Sequence, residues 1–120
     1  MVWLAVFLGG GFGSLARYGV GRLADKAGGD FPLGTLIANI LATVVLAFAV
    51  VLISRGLLKP ESPFTRALTV GFCGGFSTFS TFSLETARLL KSGQTTYAIL
   101  NIAVSVIACV VIVFLLVRKA

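Results

Sequence analysis

The chain has 120 residues, of which 58% are hydrophobic and only 12% charged, and its mean hydropathy is +1.04. A soluble domain needs a polar surface and a disordered segment needs high charge with few apolar residues, so both classes are excluded. Ten Lys and Arg residues against four acids give the net charge of +6, and they lie at the ends of apolar runs with never more than two adjacent, which leaves no basic run for nucleic acid.

Uncharged runs extend over Met1 to Ala16, Leu33 to Ser54, Ala67 to Leu84 and Ser92 to Val117. A bilayer core takes roughly 20 apolar residues as helix. The runs therefore predict an all-α membrane protein of four transmembrane helices, at about 2–23, 33–54, 64–91 and 95–117, forming one domain over residues 1–120. The first run lacks the basic start and the small-residue cleavage site of a signal peptide, so it is read as a span.

Span 1 carries GGGFGSLARYGVGR. Gly9, Gly10, Gly11 and Gly13 offer little side chain and let another helix approach closely. The nucleotide-binding glycine pattern is not in its strand-to-helix context. Arg17 follows the uncharged run and either snorkels to the headgroups or sits at a pore mouth, where it would raise the local anion concentration. Span 2 carries GTLIANILATVVLAF, with Thr35, Asn39 and Thr43 at four-residue intervals forming one polar stripe. The stripe is either interhelical hydrogen-bonding glue or the lining of a path, since a buried amide needs partners.

Span 3 carries GFCGGFSTFSTFSLE. Gly74 and Gly75, followed by Ser77 and Thr78, predict a helix broken mid-membrane, which is tolerated only where protein or a water-filled cavity covers the freed backbone. Phe79 and Phe82 share a face, with Ser80 and Ser83 beside them at the same spacing. They either pack against other helices or coordinate a small hard anion, because a phenyl edge is positive and a hydroxyl donates. A site of that kind has no fixed charge to hold the ion too tightly for release. Span 4 carries TTYAILNIAVSVIACVV, in which Tyr97, Asn101, Ser105 and Cys109 form a second polar stripe.

All four acids, Asp25, Asp30, Glu61 and Glu85, fall in loops or at span ends, and the chain has no His. Proton coupling usually needs an ionisable group inside the membrane, and a serine nucleophile needs a base, so neither coupled transport nor hydrolysis is expected. Cys73 and Cys109 are mid-span and read as reduced packing residues. Short links put both termini on one side. That side then holds Arg55, Lys59, Arg66, Arg118 and Lys119, against Arg17, Arg22, Lys26, Arg88 and Lys91 on the other. Five against five gives no preferred orientation, either by chance or because copies insert both ways and pair antiparallel.

GSLARY in span 1, GTLIAN in span 2 and GFCGGFSTFSTFSLE in span 3, in this order in a four-span chain, resemble the Fluc (CrcB) fluoride-channel family over essentially the whole length. The resemblance implies an antiparallel dual-topology homodimer with two fluoride pores in a bacterial inner membrane. It implies Phe79 and Phe82 as the aromatic fluoride sites, Asn39 as an amide donor to the ion, and Thr35, Ser80 and Ser105 in the polar lining. It places Tyr97 near the pore, Arg17 in the vestibule and Glu85 near the end of the broken helix. It further implies a structural sodium ion at the dimer centre, held by the backbone carbonyls of Gly74 and Ser77. Asn101 stands where small hydroxyl residues also occur and is expected either to meet the ion or to partner Asn39. Cys109 stands where the hydroxyl track usually continues, and a thiol is a poor donor. The expected activity is passive fluoride efflux. A small drug exporter, which would need an acid in span 1, and a non-transporting membrane subunit are the alternatives.

Overall fold

The computed structural model describes residues Met1–Ala120, and it is helical with no strand. Helix α1 covers Val2–Asp25, α2 Leu33–Ser54, α3 Pro63–Arg66, α4 Cys73–Phe76, α5 Phe79–Lys91 and α6 Thr95–Val117, with a π-helical turn, Ala67–Phe72, between α3 and α4. Three stretches are long and apolar enough to cross a membrane: Leu33–Ser54, Pro63–Lys91 and Thr95–Val117. At about 1.5 Å per residue, helices of 22 and 23 residues measure about 33–35 Å, against about 30 Å of hydrocarbon. Helix α1 is as long, but six glycines and Arg17, Arg22 and Asp25 dilute its apolarity.

Local chemistry sets the helix ends. Ser62 caps α3 by accepting the Thr65 N–H at 3.1 Å, and Pro63 occupies the first helical position, where a missing N–H costs nothing. Glu61, just outside, accepts from Arg66 Nη2 at 2.7 Å, and that guanidinium holds its carboxyl below the ordinary carboxylate range. Gly93, at φ +83°, closes α5: its N–H bonds Leu90 O, and the next N–H, of Gln94, bonds Leu89 O. That left-handed turn favours a residue with no Cβ.

The packing centre is the contact of α1 with the π-helical turn and α4. A Cβ on Gly9 would overlap Ala67 O, one on Gly13 would overlap Phe72 O, and one on Gly75 would overlap Gly10 O. Two backbones thus touch directly along this seam, which gives dispersion contact without side chains. Gly11, by contrast, faces open space. Beside the seam, Phe76 packs on Ala38 and Ala42 of α2, with Ala16, Val20 and Phe72 around it. The core therefore lies directly under the end of α4. Only 14 of 120 residues are buried, so most of the apolar surface must be covered by lipid or by another chain.

Candidate functional site

Between α4 and α5 the backbone leaves helical geometry: Ser77 has φ −80° and ψ 158°, and Thr78 has φ −154° and ψ 122°. Two extended residues interrupt the hydrogen-bond ladder, and the freed groups need other partners. Gly74 and Gly75, the residues whose flexibility pointed to a break, are themselves helical.

Thr78 finds its partner on α2. Its N–H donates to Asn39 Oδ1 at 2.7 Å, and its carbonyl accepts from Asn39 Nδ2 at 3.2 Å. One amide side chain clamps both backbone groups of a single residue. The Thr78 hydroxyl accepts the Thr81 N–H at 3.2 Å and so restarts the helix as its N-cap. From α1, Arg17 Nε donates to Gly75 O at 3.0 Å. The guanidinium therefore turns inward onto the end of α4.

The carbonyls of Gly74, Gly75, Phe76 and Ser77 lose their helical donors at the break, and Arg17 replaces the one on Gly75. The Thr78 N–H, which a continuous helix would aim at Gly74 O, is taken by Asn39. The Thr81 N–H, which would serve Ser77 O, is taken by the Thr78 hydroxyl. Gly74 is exposed, and a Cβ there would meet nothing within 4 Å. Neutral carbonyl oxygens without a helical donor, those of Gly74 and Ser77 among them, are the kind of ligand a hard cation takes.

Two cavities share Thr78 in their walls. One, of about 310 Å³, brings together Asn39, Ser77, Phe79, Phe82 and Ser105. The ring centroids of Phe79 and Phe82 are 5.8 Å apart with planes tilted by 39°, and Phe79 is 79% exposed. Cys109, Val106 and Val110 complete this wall, which carries no charged residue. The other cavity, of about 420 Å³, is lined by Arg17, Arg22, Thr35, Asp25 and Glu85. Thr35 Oγ1 donates to Glu85 Oε1 at 2.5 Å, a bond between α2 and the middle of α5. Two guanidiniums and two carboxylates nearly cancel there, so the wall offers donors more than net charge.

Sequence-predicted residues thus divide. Asn39, Phe79, Phe82, Ser105 and Ser77 meet at one cavity, while Arg17 and Thr35 meet at the other. Ser80 is exposed, its hydroxyl 3.4 Å from that of Thr78, and it lines neither. Tyr97 also lines neither; its ring sits edge-on to Phe31 with centroids 5.6 Å apart. Asn101 does not partner Asn39: Asn39 bonds Thr78, and Asn101 bonds Thr86. In the sequence Thr78 stands out only as part of the predicted break, not as a cap, and Thr86 does not stand out at all. Thr78 had a readable signal, a hydroxyl residue directly before an apolar helical start, but the triplet repeat hid it.

The sequence pattern of the family described as "CrcB-like protein, Camphor Resistance (CrcB)" matches residues 4–117. The chain belongs to the CrcB family. A relative from Yersinia pseudotuberculosis, named "Fluoride-specific ion channel FluC 1", is 40% identical over 120 residues, covering 97% of this chain and 93% of the relative. "Fluoride-specific ion channel FluC" of Pyrococcus abyssi is 41% identical over 112 residues, covering 93% and 89% respectively. That of Rhodospirillum rubrum is 39% identical over 117 residues, covering 96% and 91%. These CrcB relatives are named as channels, in agreement with the lack of a base to activate a serine nucleophile.

Proposed function

We propose that the protein is a passive, fluoride-selective channel. The observation that carries this reading is the cavity that groups Phe79, Phe82, Asn39 and Ser105 with no charged side chain. Fluoride is small and hard, and it prefers hydrogen-bond donors. Asn39 has a second amide hydrogen beyond the one given to Thr78, Ser105 has a hydroxyl, and the phenyl rings offer positive edges. The names of the relatives point the same way. Fluoride enters a cell as neutral HF, ionises in the less acidic cytoplasm and is trapped. A membrane potential that is negative inside then drives the anion out through a selective leak, and no coupling ion is needed.

In this reading α1 is the fourth span, the break at Ser77–Thr78 lies mid-membrane, and two copies pair antiparallel in a bacterial inner membrane with two pores. The equal charge count and the exposed Phe79 and Gly74 support a second copy covering this face. The carbonyls of Gly74 and Ser77 from both copies would hold a sodium ion, which supplies a fixed positive charge at the centre of the assembly. Thr35 belongs to the vestibule side, and Ser80 and Tyr97 complete the lining only with the partner in place.

The test is efflux from liposomes that contain the purified protein, followed with a fluoride electrode and a potassium ionophore, with chloride in parallel. Fast fluoride release without chloride release is expected. F79I and F82I should each reduce the fluoride rate by at least about tenfold with the dimer intact. Undiminished flux in both variants would remove the aromatic pair from the path. Release of neither ion from folded wild type would leave a packing subunit.

A further inference from the structure

Asn101 is 1% exposed, and the amide of a fully buried Asn is costly unless it is bonded. It sits in a chain of three hydrogen bonds. Ser105 Oγ donates to Asn101 Oδ1 at 3.4 Å, Asn101 Nδ2 donates to Thr86 Oγ1 at 3.0 Å, and Thr86 Oγ1 donates to Phe82 O at 2.8 Å. The chain runs from the cavity wall on α6, through a buried amide, to the backbone of one of the two aromatic residues on α5. Thr86 and Ser105 are each 7% exposed, so little water can substitute for any member.

The direction of every proton in this chain is forced. Phe82 O can only accept, so it takes the single hydroxyl proton of Thr86. The Thr86 oxygen must then accept, which turns the NH₂ of Asn101 toward it and leaves Oδ1 facing Ser105. The single proton of Ser105 is therefore the last in the line. It is also the most weakly held, at 3.4 Å against 3.0 and 2.8 Å for the other two. Only this proton can be redirected without breaking the tie between α6 and α5. Ser105 lines the cavity of Phe79 and Phe82.

We propose that Asn101 is a positioning residue, the hub of a buried relay that fixes α6 to the backbone of Phe82 and keeps the Ser105 hydroxyl as a reserve donor for an anion in the cavity. At rest the proton lies on Asn101 Oδ1. An anion reaching the cavity outcompetes that weak acceptor, gains a donor and leaves Phe82 in register. The inference rests on the fluoride-channel reading. It adds to that reading a residue that never touches the ion and yet sets how the lining meets it.

The test compares T86V, T86S and N101L, alone and as T86V/N101L, reconstituted at about one channel per vesicle. The fraction of vesicles that release fluoride counts folded channels, and the single-channel fluoride current reports how each one conducts. T86V keeps the side-chain volume and removes the hydroxyl, while T86S keeps the hydroxyl. T86S should conduct like wild type. T86V and N101L should each lower the single-channel current about fivefold to tenfold, the ratio expected when one ordinary hydrogen bond is lost. The double variant should fall no further than the worse single one, since both break one relay. Full single-channel current in T86V, with only fewer releasing vesicles, would make the relay a folding element and overturn the proposal. Multiplying losses in the double variant would overturn it too, because the two residues would then act separately. A wild type that carries no fluoride fails on the channel reading instead, so the two failures are told apart.

Discussion

Asn39 concentrates more of the site in one side chain than any other residue. Its amide bonds both the N–H and the carbonyl of Thr78, and the Asn39 backbone carbonyl accepts the Thr43 hydroxyl at 2.7 Å. Thr78 has no other backbone partner, so N39A leaves a part-buried N–H orphaned. We expect N39A to lower stability by about 2–3 kcal/mol, the cost of an unsatisfied donor plus a lost bond, measured by thermal unfolding in detergent. N39D keeps the acceptor for the Thr78 N–H at 2.7 Å and so should cost less stability. It nevertheless places a carboxylate on the cavity, and fluoride efflux should fall below detection. An N39D variant with wild-type flux would show that no anion passes this residue. The sequence marked Asn39 as one member of a polar stripe and left open whether the stripe was glue or lining. The structure shows the glue, the clamp on Thr78, and places Asn39 in the cavity wall with one amide hydrogen that the clamp does not use.

At the scale of elements, the seam between α1 and the π-helical turn decides whether the break can exist. The backbones touch at Gly9, Gly13 and Gly75, and Arg17 reaches across to Gly75 O. Any Cβ at Gly13 or Gly75 pushes α1 away from α4. G13A and G75A should each lose most folded protein, read as monodisperse yield and as a fall in unfolding temperature, with overpacking costs of about 1–3 kcal/mol or more. G11A, on the same helix, meets nothing within 4 Å and should be neutral or slightly stabilising. Equal behaviour of G13A and G11A would contradict the seam. The run of glycines in span 1 was legible as a contact surface, but which of them make the contact was not. That depends on the rotation of α1 about its axis, which the opposing backbone sets. The π-helical turn has no sequence signal of its own either. Its residues, ALTVGF, suit an ordinary helix, and the extra residue per turn arises where the turn meets α1.

The whole molecule exposes a large apolar surface and carries its charges at the ends. Three stretches long and apolar enough to cross a membrane, with α1 beside them, leave residues such as Phe79, Phe48 and Phe114 more than half exposed. Lysine counts at the two ends provide a test of how copies are arranged. Adding three lysines after Ala120 should fix one orientation by the positive-inside rule and remove fluoride resistance from cells that depend on the protein. Co-expression with a variant biased the other way should restore it. Full resistance from either biased form alone would rule out an obligate antiparallel pair.

The sequence by itself determined that the chain is helical and membrane-embedded, because burying backbone in hydrocarbon permits little else and the uncharged runs have the required length. It also singled out the aromatic pair and the polar stripes, since those depend on local spacing along one helix. What only the tertiary structure decided is which freed backbone group finds which partner. Thr78 meets Asn39, Gly75 meets Arg17 and Thr86 meets Asn101, at separations of 39, 58 and 15 residues. A broken helix announces that carbonyls and amides are loose. It cannot say where their partners lie, because that is fixed by how closely α1 and α2 approach, and the approach is set by atoms far away in the chain.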